Sequence, residues 1–138
     1  MTILVSACLM GENCKYNGGN NFSEKLASLA ADNELVPVCP EVLGGLPTPR
    51  IPAEIRDGVV INAEGASVDA QFRRGAEAAL AVAEARHIDC AVLQSRSPSC
   101  GCRQIYDGSF SGKRIEGKGI FAQLLTQKGY TVIDIEEL

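Results

Sequence analysis

The stretch Cys90-Ala-Val-Leu-Gln-Ser-Arg-Ser-Pro-Ser-Cys-Gly101 decides the fold of this chain. It begins as a continuous apolar run and ends in a loop of serine, proline and glycine. A run that is apolar at every position is typical of a central strand in a parallel sheet, because other elements cover both faces of that sheet. The sequence therefore predicts a buried strand over 90–95, with Cys100 in the loop beyond its carboxyl end.

Apolar runs and helical patterns alternate on both sides of this strand. We expect further strands over 2–8, 35–39 and 130–135, and helices over 22–32, 69–87 and 119–128. This alternation is typical of a doubly wound α/β sheet, and right-handed crossovers favour the strand order 2-1-3-4. The predicted fold class is α/β, a single domain over residues 1–138 with three layers (α/β/α) and a mostly parallel sheet.

Three intervening segments have a different character. Four prolines and two adjacent glycines over 39–54 predict a stiff loop without regular structure. Residues 59–62 are expected to form one arm of a small hairpin. The segment 103–118 is rich in glycine and turn residues, which predicts a loop or a hairpin.

Composition places the 138 residues in the globular class, with 46% apolar and 22% charged residues. The net charge of −4 offers no electrostatic footprint for a long nucleic acid. The first residues are apolar, but they lack a basic leader and are too short to span a bilayer. We therefore expect a cytoplasmic protein with no membrane partner, in which six cysteines serve as metal ligands or reactive thiols before disulfides.

Three cysteines fall where three predicted strands end. Cys8 follows the first strand, Cys39 the second, and Cys100 the third. The carboxyl ends of parallel strands meet at one edge of a sheet, so these thiols should converge on one crevice. Thiolates select zinc, Cu(I) or iron–sulfur clusters, and three of them leave a coordination position open for chemistry.

The other three cysteines differ in their surroundings. Cys90 lies within an apolar strand and is expected to be structural. Cys14 is near enough to Cys8 to be a spare ligand, although packing is the simpler interpretation. Cys102 could pair with Cys100 or act as an alternative donor, and a bystander is the favoured interpretation. The only histidine, His87, lies near the end of a predicted helix, which gives little support to a Cys–His nucleophile.

Polar residues close to these cysteines are candidates for catalysis and binding. Glu41 follows Cys39 by two residues on a rigid loop, so it is either a positioned acid or base or a plain surface carboxylate. Among the serines of the 94–100 loop, Ser97 is the candidate for a catalytic role. The candidates for substrate binding are Ser6, Ser99 and Arg50, with an Arg50–Glu54 ion pair as the alternative for the arginine.

Four motifs carry a family resemblance when they are taken together. They are Ser6-Ala-Cys-Leu-Met-Gly11, Cys39-Pro-Glu-Val-Leu-Gly-Gly-Leu-Pro-Thr-Pro-Arg50, Ser97-Pro-Ser-Cys-Gly101 and Ile105-Tyr-Asp-Gly108. In this order they resemble a bacterial family long described only as a domain of unknown function, which includes the thiouracil desulfurases. The likeness covers essentially the whole chain.

The resemblance implies a [4Fe-4S] cluster held by Cys8, Cys39 and Cys100, with a fourth iron open to the sulfur of a thiocarbonyl substrate. It also implies desulfuration without net redox change, in which Glu41 takes a proton from the attacking water and Ser97 holds or relays a proton. Relatives that act on thiolated tRNA carry an extra carboxy-terminal domain. This sequence stops at Leu138, so a thiolated pyrimidine base or nucleoside is the expected substrate.

Two other interpretations use the same cysteines. A non-catalytic metal-binding or redox-sensing module would close its site with Cys14 or Cys102 as a fourth donor. A zinc hydrolase would contain zinc and show no visible absorption.

Overall fold

The computed structural model describes residues 1–138, which form eight strands and four α-helices. The strands are β1 (Thr2–Ser6), β2 (Glu34–Val38), β3 (Ala53–Arg56), β4 (Val59–Asn62), β5 (Cys90–Leu93), β6 (Gln104–Tyr106), β7 (Arg114–Glu116) and β8 (Thr131–Asp134). The helices are α1 (Glu24–Ser28), α2 (Pro40–Leu43), α3 (Asp69–Ala85) and α4 (Ile120–Gln127). Short 3-10 helices cover Ala7–Met10, Leu29–Ala31 and Ile135–Glu137.

Four parallel strands form the central sheet in the order β2-β1-β5-β8. This order confirms the predicted 2-1-3-4 arrangement. In the middle of the sheet Leu4 of β1 pairs with Val36 of β2 on one side and Ala91 of β5 on the other. Because β1 and β5 run parallel as neighbours, the loops that follow them open at the same edge of the sheet.

Helices cover both faces of the sheet, which gives the three predicted layers. Leu4, Ala91 and Leu93 pack with the apolar faces of α3 and α4 in the larger core. Alternate residues of the same strands, such as Val5 and Val92, pack on the other side with α1 and the 3-10 turn that follows β1. Successive side chains of a strand point to opposite faces, so each central strand supplies both cores.

The contact between α2 and α3 brings two backbones together. A Cβ atom on Gly75 of α3 would lie 1.8 Å from the carbonyl oxygen of Pro40. A Cβ on Gly44, just after α2, would lie 2.0 Å from the carbonyl oxygen of Gln71. Only glycine permits this approach, and it fixes the short helix α2 directly on the longest helix of the chain.

The prediction of an irregular loop over 39–54 is wrong at both of its ends. Its first part forms α2, because Pro40 occupies the first helical position, where a missing N–H costs nothing. Its last residues begin β3, which pairs with β4 in an antiparallel hairpin. The expectation that 59–62 form one arm of a hairpin is thereby confirmed.

A second hairpin, β6–β7, lies against the first one. Both Nε and an Nη atom of Arg56 donate to the carbonyl oxygen of Gly108, at 2.9 and 2.6 Å. A Cβ on Gly108 would come within 2.7 Å of the Ile55 carbonyl oxygen, so the loop after β6 touches β3 closely. None of the helices combines the length and apolar content that a membrane span requires.

Candidate active site

A cavity of about 530 Å³ opens at the carboxyl edge of the sheet, beyond β1, β2 and β5. It is lined by all eight residues that the sequence singled out, namely Ser6, Cys8, Cys39, Glu41, Arg50, Ser97, Ser99 and Cys100. Cys14 also lines this cavity, whereas Cys90 and Cys102 do not. The topology thus brings together residues from widely separated parts of the chain.

Each of the three expected ligands is held by a different element. Cys8 lies in the 3-10 helix after β1, and Cys39 is the residue that precedes α2. Cys100 lies in a loop whose carbonyl oxygens are bound by the first amides of α4, for example Ile120 N to Pro98 O at 2.8 Å. These amides are therefore occupied by the protein itself, and the amino end of α4 serves to fix the loop.

The three thiols occupy a shielded environment in which they affect one another. Burial raises the pKa of the Cys100 thiol, and negative charge on Cys8 and Cys39 raises it further. Burial likewise raises the pKa of Cys8, although Asn21, whose side-chain amide donates to its sulfur at 3.7 Å, opposes this effect. With raised pKa values, Cys8 and Cys100 hold their protons at neutral pH, and a metal or cluster that binds them must displace those protons.

Cys14 belongs to the same group of thiols. It is buried, and its pKa is raised to about 12 by burial and by the neighbouring Cys39 and Cys8. Its carbonyl oxygen accepts a hydrogen bond from the Cys39 thiol at 3.9 Å and one from Arg50 at 2.7 Å. The backbone of Cys14 therefore supports the site, and a role for its sulfur as a spare donor stays a prediction.

Glu41 is held at both of its carboxylate oxygens. Arg50 Nε donates to Oε1 at 3.0 Å, and the Ser99 hydroxyl donates to Oε2 at 2.7 Å. The ion pair is largely buried, with 7% of the Arg50 side chain and 14% of the Glu41 side chain exposed. Glu41 thus has one defined orientation at the wall of the cavity, and it is not a mobile surface carboxylate.

A chain of hydroxyl groups continues from this carboxylate. The hydroxyl oxygens of Ser99 and Ser97 are 2.9 Å apart. Both serines line the cavity; Ser99 is buried, whereas Ser97 is only half-buried. Ser97 Oγ also accepts the backbone amides of Ser99 and Cys100 at 3.1 and 3.0 Å, so the loop geometry holds the serine and the ligand together.

The three residues expected to bind substrate are engaged by the protein. Arg50 pairs with Glu41 and not with Glu54, and its other N–H groups reach the oxygens of Pro47, Thr48 and Cys14. Ser6 Oγ accepts the backbone amide of Gln94 at 2.9 Å, and the Ser99 hydroxyl binds Glu41. Their substrate-binding role stays a prediction. In the structure Arg50 and Ser99 hold the Glu41 carboxylate, and Ser6 holds the backbone of Gln94.

The two hairpins contribute lining residues that the sequence did not indicate. Glu54 of β3 and Phe110 of the loop between β6 and β7 lie at the cavity wall, together with Tyr106. Glu54 Oε1 accepts the amides of Gly108 and Phe110 at 3.0 and 3.1 Å. The sequence could have indicated Tyr106 as a lining residue, because it lies within the Ile105–Gly108 motif. No periodic pattern in the sequence indicates Glu54 or Phe110.

Comparison with known proteins agrees with this site. The sequence profile of the family described as 2-thiouracil desulfurase matches residues 3–137. The chain belongs to this family. The uncharacterized protein YbbK of Bacillus subtilis (strain 168) is 44% identical over 146 residues, which cover 99% of this chain and 97% of YbbK. The solved structure of a [4Fe-4S]-dependent thiouracil desulfidase, TudS, superposes with a TM-score of 0.94 at 42% identity, covering 99% of this chain and 92% of TudS.

The donor set of this 2-thiouracil desulfurase family member fits a cluster better than a single metal ion. No three histidine, cysteine, aspartate or glutamate side chains are grouped closely enough to hold one ion. The cavity nevertheless has free thiols on three separate elements, and His87 does not line it. Iron–sulfur clusters take thiolates distributed around several irons, and hydrogen bonds to the sulfurs, such as those at Cys8 and Cys100, tune them.

Proposed function

We propose that residues 1–138 act as one domain that removes sulfur from a thiolated pyrimidine base or nucleoside. The reaction converts thiouracil and water to uracil and hydrogen sulfide, with no net change of oxidation state. The observation that carries this proposal is the shared cavity, in which free thiols lie beside the oriented Glu41 carboxylate. Membership of the 2-thiouracil desulfurase family and the similarity to TudS support the same activity.

Cys8, Cys39 and Cys100 are the residues that would hold a [4Fe-4S] cluster. When bound through only three thiolates, such a cluster would supply a Lewis-acidic iron that polarises the C=S bond of the substrate. The side chains that line the cavity would then act on the water and the ring around that bond.

Glu41 is the proposed general base. A water molecule that attacks the thiocarbonyl carbon must lose a proton, and a positioned carboxylate within hydrogen-bond reach can accept it. Arg50 and Ser99 hold the two oxygens of Glu41 in place, so little reorganisation is needed at the moment of transfer. Arg50 is in this view a positioning residue for Glu41.

Ser97 is the proposed proton donor to the substrate. It is the last hydroxyl group in the chain that begins at Glu41 and continues through Ser99. The contacts from Ser97 to Ser99 and from Ser99 to Glu41 provide a continuous path for a proton. A proton taken from water at Glu41 can therefore be returned through Ser99 and Ser97 to the ring or to the departing sulfur. Ser97 lies at the open end of this path, since it is the more exposed of the two serines.

The expected setting is the cytoplasm, where thiols stay reduced. All six cysteines are free in the structure, which suits that environment. The net charge of −4 supports a small-molecule substrate in preference to a long nucleic acid or a membrane surface.

The test is anaerobic reconstitution of the protein with iron and sulfide, followed by assay of sulfide release from a panel of thiolated bases and nucleosides. The proposal expects a brown protein with about four irons that forms one sulfide for each desulfurated ring. Cys8→Ala, treated in parallel, is the control for sulfide left over from reconstitution.

Two results would favour the other interpretations. A protein that loads iron fully but releases no sulfide from any compound would indicate a non-catalytic or redox-sensing module, for which Cys14 could close the site. Zinc without visible absorption after anaerobic purification would indicate a zinc enzyme.

A further inference from the structure

The loop between β6 and β7 places one aromatic ring in the cavity. Phe110 is half-buried and lines the cavity, together with Tyr106 from the end of β6. Phe22, in contrast, is more than half exposed and lies outside the cavity. The mechanism described above uses neither Phe110 nor the loop that carries it.

The backbone of Phe110 has a conformation that bulky residues avoid. Its φ angle is +57°, in the left-handed region where glycine and asparagine are common and phenylalanine is an outlier. Strained backbone of this kind persists where the surroundings enforce it, and it concentrates at functional sites. A residue other than glycine at this position is therefore expected to have a structural or functional role.

The surroundings that enforce it come from the first hairpin. Glu54 accepts the amides of both Gly108 and Phe110, and Arg56 donates twice to the carbonyl oxygen of Gly108. Two charged side chains of β3 are thus used to hold one short loop. Their common effect is to fix the backbone of this loop, and with it the position of Phe110 at the cavity wall.

We propose that the ring of Phe110 is the surface on which the pyrimidine ring of the substrate stacks, so that it selects planar, conjugated thiolated rings. A pyrimidine presents two π faces, and an aromatic side chain is the group that recognises such a face. This inference rests on the proposed function, because it names the residue that holds the base while its sulfur is removed.

The experiment compares Phe110→Ala, Phe110→Leu and Phe110→Gly with the wild type and with Phe22→Ala as the matched control. The Kd for 2-thiouracil and for uracil is measured by equilibrium dialysis, and KM and kcat by sulfide release. Loss of one base–aromatic stack should raise Kd and KM by about 5- to 150-fold in Phe110→Ala and Phe110→Gly. Iron content and kcat should stay as in the wild type, and Phe22→Ala should bind normally.

Two readouts separate stacking from a structural role. Phe110→Gly should melt at or above the wild-type temperature, because glycine relieves the left-handed strain, while it still binds 2-thiouracil weakly. Wild-type protein should prefer 2-thiouracil to its 5,6-dihydro analogue, whose ring is not fully conjugated, and Phe110→Leu should lose this preference although leucine is large and apolar.

The contrary outcomes are distinct. Wild-type Kd values in Phe110→Ala and Phe110→Leu would overturn the proposal, and so would loss of fold or iron in all three variants, which would make Phe110 a structural residue. A wild-type protein that binds these rings through Phe110 but releases no sulfide would instead overturn the proposed function and leave the stacking role standing.

Discussion

The two ends of β5 carry cysteines that are almost equally buried but differ in their surroundings. Cys90, which begins the strand, is 8% exposed and packs in the smaller apolar core. Cys100, in the loop beyond the other end, is 4% exposed and has hydroxyl groups and two further thiols near it. Burial alone does not distinguish an inert thiol from a ligand; the edge of the sheet at which the thiol lies does.

The largest difference is expected when the thiols of Cys90 and Cys100 are removed one at a time. Cys100→Ala should lose the cluster and with it all sulfide release, because the remaining two cysteines cannot hold an open [4Fe-4S] site. Cys90→Ala should keep its iron and its activity, since alanine fits among apolar neighbours. Iron analysis and the visible spectrum of anaerobic protein give the answer, and full iron in Cys100→Ala would remove this residue from the ligand set.

A second substitution tests whether the carboxyl edge of the sheet supplies a catalytic base as well as metal ligands. Glu41→Gln should keep its iron and its fold but lose about 10²–10⁴ in turnover, since an amide cannot accept the proton of the attacking water. Glu64→Gln, an exposed carboxylate in the turn after β4, is the control. Turnover numbers under anaerobic conditions decide the matter, and normal turnover by Glu41→Gln would pass the role of base to another residue.

The support of this edge by α3 can be tested at Gly75, which does not line the cavity but packs against Pro40, which does. Gly75→Ala in an ordinary helix would be stabilising, but here the new methyl group meets the Pro40 carbonyl oxygen. We expect a loss of about 1–3 kcal/mol in the free energy of unfolding, measured with denaturant, together with reduced turnover as Glu41 shifts.

The control for this test lies on the same helix. Ala81→Gly, at an exposed position of α3, should lose about 1 kcal/mol through helix propensity and leave turnover unchanged. A Gly75→Ala protein as stable as the wild type would mean that α2 can move without consequence.

The smallest effect is expected from substitution of the two cysteines that are near the proposed cluster ligands in sequence but are not among them. Cys14→Ala and Cys102→Ala should both retain full iron content, because three thiolates suffice for a site with one open iron. Cys102 does not line the cavity, and Cys14 supports it mainly through its carbonyl group, which alanine also has. If Cys14→Ala loses iron, the site is closed by four thiolates, and substrate access to iron has to be reconsidered.

Much of the cysteine arrangement could be predicted from the sequence, for a physical reason. The apolar runs before Cys8, Cys39 and Cys100 identify strands, and the topology of parallel sheets then places all three strand ends at one edge. The helical pattern of α3 is equally local, with Phe72 and Ala76 on its buried face.

The remainder depends on contacts that local sequence does not report. The prolines of 39–54 favour an irregular loop in the sequence, but Pro40 occupies the first helical position and begins α2. The Arg50–Glu41 pair spans an irregular segment, and Glu54 reaches Phe110 across 56 positions of the chain. No periodic pattern marks such pairs, because their distance in sequence is set by the loops between them.

The glycine contact between α2 and α3 also restricts how this enzyme can change. Because backbone meets backbone at Gly44 and Gly75, no side chain separates the helices at these two points, so none there can be enlarged or trimmed to move Glu41 in small steps. Selection for a larger or differently shaped substrate has to act elsewhere. Residues of the two hairpins can take up such changes, since they border the cavity without including a proposed ligand or the proposed general base. Backbone packing thus fixes the helix that carries Glu41, whereas residues of the two hairpins form the wall that faces it.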